Sequence, residues 1–294
     1  MSQTIQPELL SWAEEQAKAG YSPEQLLKSM LDHGWAKEIA EQAIAAIPQH
    51  LFVKPTESVQ VTETDQQILL NNFRVNRTQP GAELAGSPSL IDAGDRKVNA
   101  LLSLRLPRVA LFGNLLSPQE CADIITMARP RMARSTTVNT QEGGSEVNAV
   151  RTSNGTFLKR GENDLLNRVE TRIAKLLNWP VSHGEDLQIL HYMPGAEYKP
   201  HYDYFDPALP GCLPLLERGG QRVGTLVMYL NTPQEGGGTT FPDVGLEVFP
   251  QQGYGVYFGY DRPHPDTKSL HGGSPVITGE KWIAVKWLRE KAFV

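Results

Sequence analysis

Three residues in the second half of the chain have the types and spacing of a metal site. His201 and Asp203 are separated by one residue, and His271 follows far downstream. Side chains alternate between the two faces of a β-strand, so His201 and Asp203 are expected to point the same way from one segment. Two imidazoles and one carboxylate form the facial ligand set of non-haem iron(II), which leaves coordination positions open. The spacing therefore predicts an oxygen-activating metal centre.

The third ligand is a choice between His264 and His271. His264 stands between two prolines, in Arg262-Pro263-His264-Pro265, where the backbone cannot form regular strand hydrogen bonds. His271 begins a segment that runs through Gly272 and Gly273 into β-branched residues. We favour His271. A His-x-Asp pair is a weak signal by itself, because short motifs often arise by chance.

A second signal lies near the C-terminus, where Lys281 and Lys286 are alternative candidates for binding a carboxylate of a co-substrate. Positions 281, 283, 285 and 287 share a strand face, and Ile283, Val285 and Trp287 make it the more apolar one. Lys281 is therefore predicted to point inward and Lys286 outward. A buried ammonium needs an anion. A bound carboxylate of a dicarboxylate co-substrate explains Lys281 better than a side chain that extends to the mouth of the barrel.

The facing of these residues also predicts a strand pairing. If His271 and the face of Lys281 both point into one barrel, a hairpin between them needs an odd-numbered loop. A three-residue loop at 278–280 would place His271 opposite Trp287. A bulge near Ser274-Pro275 would change this register.

Composition excludes several classes of protein. The chain has 294 residues, of which 40% are apolar, enough for one large and one small domain. A net charge of -5 argues against nucleic-acid and anionic-membrane partners. Two cysteines imply no disulfide framework, and the first residues lack the features of a signal peptide. We expect a cytoplasmic protein that binds neither nucleic acid nor membrane. The sequence indicates no particular oligomeric state.

The elements that must position the candidate ligands fall into three parts. Residues 1–47 are predicted to form a small helical unit, with a capping box at Ser22-Pro23-Glu24-Gln25. Residues 48–90 are polar and rich in Pro and Gly, as in a linker. Residues 91–294 carry helical patterns first, including a capping box at 117–120, and then many short strands. This order predicts an α+β domain with a double-sheet jelly roll backed by helices.

An ordered series of motifs resembles the catalytic domain of the prolyl 4-hydroxylase branch of iron(II)/2-oxoglutarate dioxygenases. The likeness spans roughly residues 95–290 and leaves out the first 90 residues. Each motif is weak alone, but the whole series in order is specific. The motifs are Pro107-Arg108-Val109, 116–121, Arg134-Ser135-Thr136, 151–158, 192–203, Gln221-Arg222-Val223, 236–242 and 271–287.

The resemblance implies a double-stranded β-helix in which His201, Asp203 and His271 bind iron(II). It implies that Lys281 pairs with the distal carboxylate of 2-oxoglutarate and that the hydroxyls of Tyr192 and Thr239 assist. Oxygen is the second co-substrate, succinate and CO2 are products, and ascorbate is the expected reductant. Residues matching the peptide-substrate side are Tyr198, Arg222 and Trp287.

The resemblance further implies hydroxylation of a prolyl residue, at the 4-position, in a peptide or protein. A loop from about 136 to 158, with Gly143-Gly144 inside it, matches a flexible lid. Gly238 departs from the pattern, since the family often has Glu before the following Thr. Two alternatives stay open. One is a dioxygenase that acts on another residue or a small molecule, and the other is a jelly-roll binding module without catalysis.

Overall fold

The structure is a computed structural model that describes residues 7–18, 22–32, 35–48, 79–135, 137–138, 145–146 and 151–294. The chain divides into two compact units, residues 1–69 and residues 70–294. Among the described residues, no helix is long and apolar enough to cross a membrane. The predicted boundaries at 47 and 90 remain a prediction, because most of the proposed linker lies outside the described residues.

The first unit is built from three short helices: α1 (Pro7–Lys18), α2 (Pro23–Asp32) and α3 (Lys37–Ala46). The capping box predicted before α2 is confirmed, since Gln25 N donates to Ser22 Oγ and Ser22 N donates to Gln25 Oε1. Mostly small apolar side chains meet in the centre of the unit. They are Ala13, Ala17, Leu26, Met30, Ala40, Ala43 and Ile47.

The second unit contains seventeen short strands in its described part. In chain order they are β1 (Leu90–Asp92), β2 (Lys97–Leu104), β3 (Arg108–Gly113), β4 (Ala133–Arg134), β5 (Thr137–Val138), β6 (Ser145–Glu146), β7 (Asn154–Leu158), β8 (Leu187–Tyr192), β9 (Tyr198–His201), β10 (Arg222–Tyr229), β11 (Glu235–Gly236), β12 (Thr239–Phe241), β13 (Leu246–Val248), β14 (Gly255–Gly259), β15 (His271–Gly273), β16 (Val276–Thr278) and β17 (Lys281–Arg289).

These strands form one large antiparallel sheet and one small one. The main sheet has the order β1-β2-β3-β14-β10-β17-β8-β7-β4, and the minor sheet has the order β13-β12-β15-β9. Two further pairs, β11 with β16 and β5 with β6, stand apart from them. The architecture is the predicted α+β fold, a double-stranded β-helix backed by helices.

The described part of this unit contains three α-helices: α4 (Pro118–Ala128), α5 (Asp164–Leu176) and α6 (Leu213–Glu217). The capping box predicted at the start of α4 is confirmed, because Glu120 N donates to Ser117 Oγ and Ser117 N donates to Glu120 Oε2. The apolar faces of α4 and α5 share one core with the back of the main sheet, which buries the inner stripe of each helix.

Strand β17 runs through the middle of the main sheet and is buried along its whole length. Ile283, Val285 and Trp287 pack in the core on the side of the minor sheet. Trp282, Ala284 and Leu288 pack in the core that α5 shares. Alternation along one strand therefore separates a cavity side from a helix side, as the sequence predicts.

One sequence prediction about local structure is wrong, and a second holds only with a shorter range. His271 does not face Trp287 across a hairpin, since it pairs with His201 of β9, while Trp287 pairs with Thr225 of β10. The chain leaves the minor sheet after Gly273 and enters the main sheet at Lys281, so no single register connects the two segments. Residues 154–158, the last part of the predicted 136–158 loop, are strand β7, paired with β8. Most of residues 136–153 lie outside the described residues, so the lid remains a prediction there. Gly143 and Gly144 lie outside the described residues.

Candidate metal centre and adjoining cavity

The three predicted metal ligands meet at one edge of the minor sheet. His201 at the end of β9 pairs directly with His271 at the start of β15, so both imidazoles lie on one face. Asp203 follows two residues after His201. The ligand atoms of the three side chains all lie within 4.8 Å of one another. In the described part of the chain, no other group of three or more metal-ligating side chains forms such a cluster.

Hydrogen bonds orient both imidazoles for ligation. His201 Nδ1 lies 2.9 Å from the carbonyl of Lys199, and His271 Nδ1 lies 2.9 Å from the carbonyl of Ser269. A carbonyl only accepts, so each Nδ1 carries the proton and each Nε2 keeps a free lone pair. Such a bond fixes the tautomer of a ligating histidine. Both Nε2 atoms point to Asp203, at 3.5 Å from His201 and 3.4 Å from His271.

The protonation states of the cluster also suit a cation. Burial lowers the pKa of His271 to about 4, although the charge of Asp203 opposes the shift, so the imidazole is neutral near pH 7. Burial opposes ionisation of Asp203, but the neighbouring His271, His201 and Arg222 outweigh it and hold its pKa well below the usual range. A deprotonated carboxylate and neutral imidazoles are the forms that bind metals.

The other candidate ligand, His264, lies away from the cluster. Its side chain is 46% exposed, and its Nδ1 accepts from the backbone N–H of Asp266 at 3.2 Å. The prolines on either side place it in a loop before a short turn of 3-10 helix at Pro265–Thr267. Among the described residues, the third member of the metal cluster is therefore His271 and not His264.

A cavity opens beside the three ligands, between the main and minor sheets. Eight of the nine residues that the sequence singled out line it; Arg222 does not. Strands β8, β10 and β17 supply one wall, and β9, β12 and β15 supply the other. The cavity therefore brings together residues that are far apart along the chain.

Lys281 presents an unpaired ammonium to this cavity. Its side chain is buried, and within the described part of the chain no hydrogen bond or ion pair reaches Nζ. Tyr192 and Tyr229 are its nearest ring neighbours, with Nζ 5.4 and 6.0 Å from their centroids. Burial lowers the pKa of Lys281 to about 8, although the charge of Glu247 opposes the shift. A buried cation without a partner is costly, and a carboxylate ligand would remove this cost.

Thr239 and Tyr192 flank Lys281 on the two walls. Tyr192 is the cross-strand partner of Lys281. Tyr229 OH donates to Thr239 Oγ1 at 2.8 Å, which leaves the proton of the Thr239 hydroxyl for another acceptor. A Cβ at Gly237, whose φ is 72°, would lie 3.0 Å from Lys281 Cδ, so this glycine leaves room for the lysine. The lysine and the hydroxyl together suit an anionic ligand.

The predicted substrate-side residues divide into two groups. Tyr198 stacks on His201, with ring centroids 3.7 Å apart, and Trp287 contributes a buried Nε1–H that has no hydrogen-bond partner among the described residues. Arg222 lies behind the wall, where its Nε and Nη2 bind Glu185 at 2.7 and 2.9 Å. Its guanidinium stacks on Trp287 at 3.9 Å. Arg222 therefore does not line this cavity, and its place on the substrate side remains a prediction.

Sequence reasoning missed two polar residues of the cavity wall, Arg151 and Thr225. Arg151 is buried, donates from Nη2 to Gln188 Oε1 at 2.9 Å, and lies 4.9 Å from the centroid of the Tyr198 ring. The signal for Arg151 was its place in the quoted motif 151–158. Thr225 had no signal beyond a position in an apolar strand.

The donor set fits iron(II), and the cavity fits 2-oxoglutarate. Two imidazoles and one carboxylate are the ligand set that non-haem iron(II) prefers, and the cavity leaves space beside them for further ligands. The unpaired ammonium of Lys281 matches the distal carboxylate of the co-substrate.

Comparison with known proteins agrees with this chemistry. The model of the 2OG-Fe(II) oxygenase superfamily matches residues 187–289. A probable prolyl 4-hydroxylase 3 from Arabidopsis thaliana is 41% identical over 203 residues, which are 62% of this chain and 69% of that protein. Prolyl 4-hydroxylase 5 from the same plant is 38% identical over 208 residues, covering 64% of this chain and 70% of that protein.

Solved structures are similar as well, among them a viral enzyme. A viral collagen prolyl hydroxylase from Paramecium Bursaria Chlorella virus-1, in its 2OG complex, is 29% identical. The match covers 62% of this chain and 95% of that chain, with a TM-score of 0.47.

Proposed function

We propose that this chain, which belongs to the prolyl 4-hydroxylase family of the 2OG-Fe(II) oxygenase superfamily, hydroxylates a prolyl residue of a peptide or protein at the 4-position. The enzyme is an iron(II)- and 2-oxoglutarate-dependent dioxygenase that forms succinate and CO2. The observation that carries the proposal is the unpaired Lys281 ammonium beside the cluster of His201, Asp203 and His271. Relatives named as prolyl 4-hydroxylases support the choice of proline.

We assign the metal to His201, Asp203 and His271. When bound, iron supplies the activation of oxygen and the oxidising power that attack on an unactivated C–H bond needs. The protein holds both imidazoles by their Nδ1–H groups, so each Nε2 faces the metal position, and it keeps the carboxylate ionised. Preorganisation of this kind lowers the cost of assembling the site.

We assign the distal carboxylate of 2-oxoglutarate to Lys281. The ammonium has no partner among the described residues, and the Thr239 hydroxyl has a proton to donate, so a carboxylate here gains one ion pair and one hydrogen bond. Tyr192, opposite Lys281 on β8, closes the same end of the cavity. These residues orient the co-substrate and cannot themselves carry out oxidation.

We assign the target proline to the end of the cavity bounded by Tyr198 and Trp287. A pyrrolidine ring packs well on aromatic faces. The unpaired Nε1–H of Trp287 suits a peptide carbonyl, because a buried donor without a partner is costly. Arg222 then acts on substrate only through Trp287, which it holds by stacking, while Glu185 fixes the guanidinium. Arg222 is a positioning residue in this assignment.

We propose two further properties. Ascorbate is the proposed reductant, and the cytoplasm is the proposed compartment. Both are consequences of the sequence resemblance and composition, and both remain predictions.

The substrate is tested with the iron-loaded full chain, 2-oxoglutarate and a library of proline-containing peptides. We expect 4-hydroxyproline in the product, with one succinate formed for each hydroxylation. A matched library in which alanine replaces proline is the control. If a non-proline residue or a small molecule is hydroxylated while proline peptides are not, the prolyl assignment is wrong and the dioxygenase class stands.

Trp287→Phe separates ring packing from hydrogen bonding at the substrate end. This variant keeps the aromatic face and loses only the indole N–H. We expect KM for the peptide to rise and KM for 2-oxoglutarate to stay unchanged. An equal rise in both would place Trp287 with the co-substrate.

A further inference from the structure

A chain of two hydroxyl groups leads from the core of the main sheet to the carboxylate of Asp203. Thr225 lies on β10 and is fully buried, and its Oγ1 donates to Asp203 Oδ2 at 2.7 Å. The same Oγ1 lies 3.0 Å from the hydroxyl of Tyr260, which is also buried. Both hydroxyl-bearing residues lie on or next to the main sheet, whereas Asp203 follows a strand of the minor sheet.

The direction of the hydrogen bonds follows from the donors available. A carboxylate that binds a metal is deprotonated and only accepts, so Thr225 must give it the proton. A threonine hydroxyl has one proton, so the Tyr260 hydroxyl must donate to Thr225. The order is therefore Tyr260 to Thr225 to Asp203. Each hydroxyl donates its one proton in this chain, and rotation of either hydroxyl would leave a buried polar group unpaired.

Asp203 needs such support more than the two histidines do. His201 and His271 lie in paired strands, and their Nδ1–H groups are bonded to backbone carbonyls. Asp203 lies beyond the end of β9, so no strand pairing fixes its backbone. Without the Thr225 hydroxyl, the contacts left to its carboxylate among the described residues are those to the two imidazoles, at 3.4 and 3.5 Å.

We propose that Thr225 and Tyr260 are positioning residues that fix the Asp203 carboxylate in its metal-binding orientation. The inference rests on the metal site of the proposed function. Partners of this kind behind a metal ligand typically contribute about 10- to 100-fold in metal affinity. Thr225 is the direct partner and Tyr260 the indirect one, so their removal should weaken binding to different degrees.

The test measures metal affinity, not turnover. Co(II) is titrated into the metal-free full chain in competition with a chromogenic chelator. Thr225→Val, which keeps the shape and loses the hydroxyl, should weaken Co(II) binding about 10- to 100-fold. Thr225→Ser, which keeps the hydroxyl, should stay within about threefold of wild type. Tyr260→Phe should fall between them. Thr240→Val, on β12 outside the cavity wall, is the control and should bind as wild type does.

Each result decides the matter. Wild-type affinity in folded Thr225→Val overturns the inference, and so does an equal loss in Thr225→Val and Thr225→Ser, which would indicate packing and no hydroxyl effect. If Thr225→Val does not fold, Tyr260→Phe decides, and unchanged affinity in that variant overturns the inference. Failure of the wild-type chain to bind Co(II) would instead contradict the metal site and, with it, the proposed function.

Discussion

The two lysines of strand β17 show how the two faces of one sheet differ. Both are buried, and five positions separate them. On the helix side, Lys286 Nζ binds Glu170 of α5 at 2.7 Å and also donates to the carbonyl of Glu185. On the cavity side, Lys281 Nζ has no partner among the described residues.

A buried charge can therefore serve either the fold or a ligand. A cation matched by a carboxylate of its own chain is part of the fold, because loss of either partner leaves an uncompensated charge. A cation buried without such a match is poised for a ligand, because the fold by itself has gained nothing from it. The helix face of β17 is thus expected to determine stability, and the cavity face is expected to determine chemistry.

The largest effect should come from the cavity face, at the metal ligands. Asp203→Ala or His271→Ala removes one of three ligands, so we expect a loss of at least about 10⁴-fold in kcat/KM, or more than about 5 kcal/mol of transition-state stabilisation. Succinate formation at saturating 2-oxoglutarate measures it. His264→Ala is the control and should keep most of the activity. Full activity in His271→Ala would contradict the assignment.

On the helix face, Lys286→Ala should lower the free energy of unfolding without changing the reaction that the enzyme catalyses. The change leaves Glu170 buried without its partner, which should cost about 3–5 kcal/mol in free energy of unfolding. Urea denaturation measures it. The double variant Lys286→Met with Glu170→Leu should recover much of the loss, since it removes both charges. If the single variant is as stable as wild type, the pair is not the structural element we describe.

Much of this contrast was predictable from the sequence. Alternation along 281–287 predicted which lysine faces the cavity, and the His-x-Asp spacing with His271 predicted the metal cluster. Both are local patterns, in which neighbouring residues determine the direction of a side chain.

What was not predictable depends on contacts between distant segments. The partner of Lys286 is Glu170, on α5. The partner of Arg222 is Glu185, which precedes β8 and is 37 residues away along the chain. Neither pairing has a signature in the sequence. The predicted pairing of His271 with Trp287 failed for the same reason. It assumed one sheet, whereas the chain changes sheets between those residues.

Removal of Lys281 on the cavity face should have a smaller effect, confined to binding of the co-substrate. Lys281→Ala should raise KM for 2-oxoglutarate at least about tenfold, which corresponds to a loss of about 1.4 kcal/mol of binding. Lys286→Ala, measured at a temperature where it is folded, should not raise it. Steady-state kinetics with varied 2-oxoglutarate measures both. Equal increases in the two variants would contradict the difference between the faces.

Stability should change in the opposite direction at Lys281. Lys281→Met removes a buried ammonium that has no partner among the described residues, so the free energy of unfolding of the metal-free protein should stay equal or increase. The same denaturation experiment as for Lys286→Ala measures it. A loss of more than about 2 kcal/mol would show that Lys281 supports the fold.

The smallest effect should be one of pH on co-substrate binding. Burial lowers the pKa of Lys281 to about 8, so the free enzyme loses the positive charge as pH rises through 8. The carboxylate needs the protonated form, and KM for 2-oxoglutarate should therefore rise about twofold from pH 7 to pH 8 and more steeply above. Lys281→Arg, which keeps its charge, should flatten the profile. A wild-type KM that falls with rising pH would contradict this sign.

The most direct measurement is a crystal structure of the manganese-loaded protein with 2-oxoglutarate under anaerobic conditions. We predict one metal ion on His201, Asp203 and His271, and the distal carboxylate of 2-oxoglutarate within hydrogen-bonding distance of Lys281 Nζ, with Lys286 still bound to Glu170. A metal bound by other residues, or a carboxylate held by another cation while Lys281 stays unpaired, would contradict the account.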